Sequence, residues 1–194
     1  MKNLLFFVIL QSIISSCVSL NTELLKSSND YLSPRLPYLE ITPNRAGYTS
    51  EIEFNTEEKL YSLFKSEMKE CIISSPTKEI KGYLKPIIKS TTEIGGLGLS
   101  YLSGLTLGAL NLIGMPYGNF TTELSLQLYI VDENEKIFWS GTYSSSKVIW
   151  SGLYYNGLNQ ACINNTSLRM FKELLREVRK ELSYDYKKII SDLN

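Results

Sequence analysis

Between Glu93 and Glu123 the chain carries no charged residue. Apolar surface of that extent is unfavourable in water, so the run has to be covered by the protein, by lipid or by a partner. Its centre, Ile94 to Met115, is rich in leucine and holds six glycines and four polar residues, Ser100, Ser103, Thr106 and Asn111. As a single helix these 22 residues would reach about 33 Å, enough to cross a bilayer. Gly104 and Gly108 have the GxxxG spacing of closely packed membrane helices. The same glycines weaken a soluble helix by about 1 kcal/mol each. A period of two competes: Leu97, Leu99, Tyr101, Leu105 and Leu107 alternate with Gly98, Ser100, Gly104, Thr106 and Gly108. That pattern suits strands with one lipid-facing side, which an oligomer closes into a barrel. Three readings of residues 94–116 stay open: a buried, self-packed hairpin, a membrane-associated insertion, and an oligomer or partner contact. Leu97, Leu99, Leu102, Leu105, Leu107 and Leu110 are the candidate membrane or partner contacts.

The amino terminus speaks to location. Lys2 precedes an apolar run, Leu4 to Ile14, of about 11 residues, the size of a signal-peptide core and about half of what a bilayer span needs. It ends in Ile14-Ser15-Ser16-Cys17, which resembles the lipobox of bacterial lipoproteins: an aliphatic residue, two small ones, then cysteine. The resemblance implies cleavage before Cys17, a diacylglycerol on its thiol and three acyl chains in all, palmitate-like in kind. More than one chain gives stable anchoring. Residues 1–16 are then the signal peptide, leaving 178 residues with a net charge of about −1. Val18 rather than Asp follows the cysteine, which by the enterobacterial sorting habit favours the outer membrane. The alternative is a plain secretory signal, with Cys17 an ordinary thiol.

Composition narrows the chemistry. Twenty basic residues balance twenty acidic ones and histidine is absent. With a pI near 6.4, the chain lacks the basic surplus of a nucleic-acid binder. Without histidine, Ser-His-Asp and Cys-His nucleophiles and His-ligated zinc are excluded. Cys71 and Cys162 are the remaining cysteines. Export to an oxidising compartment makes them a candidate disulfide pair, provided their helices pack antiparallel or end to start; the alternative is two buried thiols. Asp132-Glu133-Asn134-Glu135 lacks EF-hand spacing and its glycine, so it reads as a solvated turn. No metal site, cofactor or catalytic residue is expected. The acid pairs Glu57/Glu58 and Asp132/Glu133 are explained by a helix start and a turn.

Residues 17–35 read as the acylated cysteine and a polar tether, and residues 36–194 as one domain. Leu36 to Ile41 predicts a short strand. Thr56 followed by Glu57 and Glu58 predicts a capped helix start, with Leu60, Leu63, Phe64, Met68 and Cys71/Ile72 on one face. Lys78 to Ser90 predicts an edge or bent strand, because Pro86 has no N–H for a central ladder. Thr121 to Val131 alternates Leu124, Leu126, Leu128 and Ile130 with polar residues, and after the turn Lys136 to Ser146 returns as a hairpin. A last helix runs from about Thr166 to Ile190 on a stripe of Leu168, Phe171, Leu174, Leu175, Val178, Leu182 and Tyr186. The expected fold is α+β: a mainly antiparallel sheet, two helices on one face and the Gly/Leu-rich insertion 94–116. Trp139, Trp150, Tyr154 and Tyr155 are either core packing or an interfacial aromatic belt.

The segment Leu102-Ser103-Gly104-Leu105-Thr106-Leu107-Gly108, with Pro116 after it and an alternating strand ending at Asp132, resembles a group of small uncharacterised bacterial lipoproteins. Where those proteins put a glycine in the hairpin turn, this chain has Asn134-Glu135. More distantly the layout is similar to envelope-assembly lipoproteins, such as activators of peptidoglycan synthases and the curli-secretion lipoprotein. The resemblance carries no catalytic residue. It implies a membrane-anchored, non-enzymatic envelope protein that binds or helps assemble another envelope component. The alternative is a membrane-inserting or pore-forming homo-oligomer using residues 94–116.

Overall fold

Alternation and helical stripes together dictate a two-layer protein, since a sheet with one apolar face has to bury it under helices. The computed structural model describes residues 19–28, 30–43, 56–75, 80–106, 108–152, 155–156 and 160–193. In chain order the elements are a 3-10 turn Thr22–Leu25, strand β1 Glu40–Ile41, helix α1 Thr56–Glu67 running into a π turn Met68–Ile72, and strand β2 Tyr83–Gly95. Helices α2 Leu97–Leu105 and α3 Ala109–Leu112 follow, then β3 Gly118–Val131, β4 Ile137–Gly152, β5 Tyr155–Asn156 and helix α4 Gln160–Leu193.

The sheet order is β1-β2-β3-β4-β5, parallel between β1 and β2 and antiparallel elsewhere. The fold is the expected α+β, with the charge-free segment inserted between β2 and β3. Leu84, Ile130 and Trp139 line up across β2, β3 and β4, as do Ile88, Leu126 and Tyr143, and these side chains are buried. Over them lie the two long helices: Leu60, Leu63, Phe64 and Met68 of α1 and its π turn, and Leu168, Phe171, Leu174, Leu175, Val178 and Leu182 of α4. Pro86 is tolerated because β1 pairs only with Tyr83 and Leu84, leaving β2 an edge strand from there on. The turn between β3 and β4 is held by Asp132, whose Oδ1 accepts from the amides of Asn134 and Lys136, both at 2.8 Å. Glu135 takes the left-handed backbone there, φ 63°.

Two helix partners reveal an orientation that periodicity cannot. Thr56 opens α1 and its hydroxyl donates to Asn164 Oδ1 at 2.7 Å, while Glu67, ending α1, pairs with Arg179. Both contacts advance together along the two helices, so α1 and α4 run parallel. The thiols of Cys71 and Cys162 therefore belong to opposite ends of the helix layer. At 1.5 Å per residue, Cys162 and Arg179 are about 25 Å apart along α4, far beyond the 7 Å Cα limit of a disulfide. Both cysteines are free, which corrects the candidate disulfide. Cys71 Sγ donates to the Ser28 carbonyl at 3.1 Å, and burial, with help from the Glu67 carboxylate, pushes its thiol pKa up.

The expected tether is corrected as well, over its described part. Leu32 and Leu36 are core residues, and Leu20, Leu24 and Leu25 pack against the core. The backbone of this segment bonds to the π turn through Leu32 N to Cys71 O (2.8 Å) and Leu36 N to Ile72 O (2.9 Å). Glu67 is buried and accepts from the amide and hydroxyl of Ser28, each at 2.7 Å, and from Arg179. Arg179 also reaches Ser28 Oγ at 2.6 Å and Asp30 at 3.4 Å. Five leucines and a buried ion pair outweigh the polar composition that suggested a loose linker.

Candidate functional site

The three central strands continue past the helix layer, and the segment joining β2 to β3 caps their far end. Glu93, Thr121 and Val148 stand in one row, with Lys147 and Glu123 one and two rows from it. Beyond these ions the three strands and the segment joining β2 to β3 are neutral: residues 94–122 carry no Asp, Glu, Lys or Arg, and neither do residues 148–168. The two uncharged stretches meet in space, Gly118 pairing with Ser151 and the amide of Tyr117 donating to Ser151 O at 2.6 Å.

Glycine decides the shape of this tip. Gly96 and Gly108 adopt φ of 76° and 80°, the left-handed region that residues with a Cβ avoid, and each starts a new helix. The run is thereby divided into α2 and α3, and among the described residues no helix is long and apolar enough to cross a membrane. The single 22-residue helix considered from the sequence is not formed. Nor are the alternating strands, since residues 97–105 are helical. Gly104 and Gly108 do not pack a helix pair: nothing lies within 4 Å of a Cβ built at Gly104, and Gly108 makes the turn.

All four polar side chains of the segment bond within the tip. Ser103, buried, donates to Asn111 Oδ1, and Asn111 Nδ2 donates to Met115 O at 2.9 Å. Ser100 Oγ donates to Tyr117 O at 2.6 Å, and Thr106 Oγ1 to Leu102 O at 3.0 Å. The outer surface is left to apolar groups. Of thirteen exposed large hydrophobic residues among those described, nine are here: Ile94, Leu97, Tyr101, Leu102, Leu105, Leu112, Ile113, Val148 and Trp150. Ile113, Leu97, Tyr101 and Leu105 are 81, 76, 73 and 68% exposed.

Among the residues singled out from the sequence, Leu97, Leu102 and Leu105 lie on this surface, while Leu99 and Leu110 are half-buried. Leu107 and Cys17 lie outside the described residues. Sequence reasoning missed Leu112, Ile113 and the contribution of β4, although the second uncharged stretch was there to be read. The aromatics divide: Trp139 is core, its Nε1 donating to Asp185 at 2.9 Å, whereas Trp150 is exposed on the tip. Tyr154 lies outside the described residues and Tyr155 belongs to β5.

The described amino-terminal end lies toward the same pole. α4 runs against β4, since Tyr143 bonds Glu181 and Trp139 bonds Asp185, so α4 begins on the side toward which β4 runs. Five residues into α4, Asn165 Oδ1 accepts from the Asn21 amide at 2.9 Å and its Nδ2 donates to Ser19 O at 3.0 Å.

On the sheet, a depression of about 430 Å³ is lined by Lys89, Thr91, Glu123, Ser125, Ser144 and Ser146. Lys89 is exposed, unlike the desolvated lysine that Ser-Lys chemistry requires. No protein-family model matches the chain, and no curated protein is significantly similar to it.

Proposed function

We propose that this chain is a lipid-anchored protein of the bacterial envelope, without enzymatic activity, which binds or helps assemble another envelope component through the α2–α3 tip. The observation that carries the reading is the tip itself: a charge-free apolar surface, with Ser100, Ser103, Thr106 and Asn111 bonded within it, held out at the end of the three central strands. A monomer keeps such a surface exposed only for something that covers it. Ile14-Ser15-Ser16-Cys17 supports the anchor, and Val18 after the cysteine supports the outer membrane. The clustered hydroxyls and exposed Lys89 on the sheet support a non-catalytic role, as do acids whose work is structural, such as Asp132 in its turn and Glu67 in its ion pair.

The test is metabolic labelling of cells expressing wild type and Cys17→Ala with a radioactive fatty acid. Wild type is expected to carry the label and Cys17→Ala to carry none. Absence of label from wild type, or equal label on both, rejects acylation of Cys17 as the anchor.

A further inference from the structure

We infer that the occupant of the α2–α3 tip is a lipid bilayer, with α2 lying in the boundary between headgroups and acyl chains. This rests on the reading of the tip as the contact surface and names what it contacts.

Three observations favour lipid over protein. First, Ser100, Ser103, Thr106 and Asn111 all spend their hydrogen bonds inside the tip. Hydrocarbon demands that closure, because it offers no partner to a stray polar group, whereas a protein partner supplies donors and acceptors of its own. Second, the described residues of β2, β3 and β4 and of the segment joining β2 to β3 give this surface no charged rim of their own. Protein interfaces surround an apolar core with polar and charged residues; here the first ions met down the strands, Glu93, Glu123 and Lys147, stand back at the base, and both chain segments beyond them are neutral. A bilayer interface sorts residues in this way, ions outside and an aromatic such as the exposed Trp150 between them and the apolar face. Third, the described chain begins toward this pole, with Ser19 bonded to Asn165, and Cys17 precedes Ser19 by two residues. Two residues span at most about 7 Å, so acyl chains on Cys17 enter the membrane from the end of the molecule that carries the tip.

The geometry sets the depth. Nine residues of α2 are about 13 Å long, too short to cross, and the glycine turns lay the two helices beside each other instead of in line. The tip is therefore a shallow wedge that adds to the acyl anchor and fixes the orientation of the globule on the surface.

The experiment removes the acyl contribution. The chain from residue 17 on, which holds every residue of the described fold, is made with Cys17→Ala and floated with phosphatidylcholine vesicles at low and at high salt. The expected result is flotation independent of salt, with a blue shift of Trp fluorescence. A Leu105→Asp/Ile113→Asp variant is expected to partition at least about tenfold more weakly. Both side chains are exposed, so its circular dichroism and unfolding midpoint are expected to match the parent, and Leu105→Ala/Ile113→Ala gives a milder loss without new charge. Failure to float overturns the inference, as does binding that needs anionic lipid and vanishes in salt. So does a concentration-dependent oligomer that ignores vesicles and is broken by the Asp variant, which makes a second copy the occupant. None of these outcomes moves the fatty-acid labelling of the Cys17-bearing protein, so failure of the lipid contact and failure of the anchor are told apart.

Discussion

Arg179→Met tests the clamp that binds the amino-terminal segment to the helices. The Glu67 side chain is 3% exposed and that of Arg179 11%, so the pair is screened by protein rather than water. Removing the guanidinium leaves the carboxylate with the two Ser28 donors at 2.7 Å and no counter-charge. Stripping a partner from a buried ion pair costs about 3–5 kcal/mol. The contact of Arg179 with Asp30, whose side chain is 74% exposed, adds under about 1 kcal/mol. The double variant Glu67→Met/Arg179→Met removes both charges and leaves only the Ser28 donors unmet, a loss of about 1–3 kcal/mol. The double variant is thus expected to be more stable than Arg179→Met alone. Urea unfolding followed by Trp fluorescence measures the energies, and hydrogen exchange at Leu32 and Leu36, whose amides bond the π turn, reports whether the segment lifts off. A loss below about 1 kcal/mol in the single variant, or single losses that simply add in the double, refutes the reasoning.

Three further substitutions have signs set by the structure. Gly104→Ala places a methyl in open space in a helix and is expected to raise amide protection in α2, by a free energy of about 0.5–1 kcal/mol, whereas Gly96→Ala meets Gly118 Cα at 2.9 Å from a left-handed backbone and is expected to lower it by more than about 1 kcal/mol; matching signs in hydrogen exchange count against the glycine-broken hairpin. Burial, then the hydrogen bond to Glu181, raises the Tyr143 phenol far above the ordinary tyrosine range. Its neutral form is favoured in the folded state, so this contribution is complete below about pH 10 and declines above it as the unfolded chain ionises; between pH 9 and 11, Tyr143→Phe is expected to lose stability less steeply than wild type in urea titrations, and identical slopes reject the assignment.

What was legible in the sequence had a period. The alternation from Leu124 to Ile130, the Asp132 turn, the α1 stripe and the α4 stripe from Leu168 to Leu182 all lie where the spacing puts them, because burial on one face leaves a repeat. What was illegible depended on relations across the chain. Helix direction is written in the Thr56–Asn164 and Glu67–Arg179 contacts, more than a hundred residues apart, and with it the fate of the two cysteines. The amino-terminal segment spaces its leucines irregularly, at positions 20, 24, 25, 32 and 36, and they follow a docking path with no period of its own. β2 begins at Tyr83 rather than Lys78 because its partner β3 reaches only to Val131. The neutral run announced an unusual surface plainly, but helix and strand periods were both written into it, and Gly96 and Gly108 decided between them by turning the backbone.

The packed amino-terminal segment also limits how far an acylated molecule can wander. With Ser19 already hydrogen-bonded to α4, only Val18 stands between the docked segment and the proposed anchor at Cys17, a reach of at most about 7 Å, against about 60 Å if residues 18–35 were paid out as extended chain. If Cys17 is acylated as proposed, a globule moored that closely would ride at headgroup height and meet only what comes to the same membrane. Reaching across to an opposing layer would first require Arg179 to let go of Glu67.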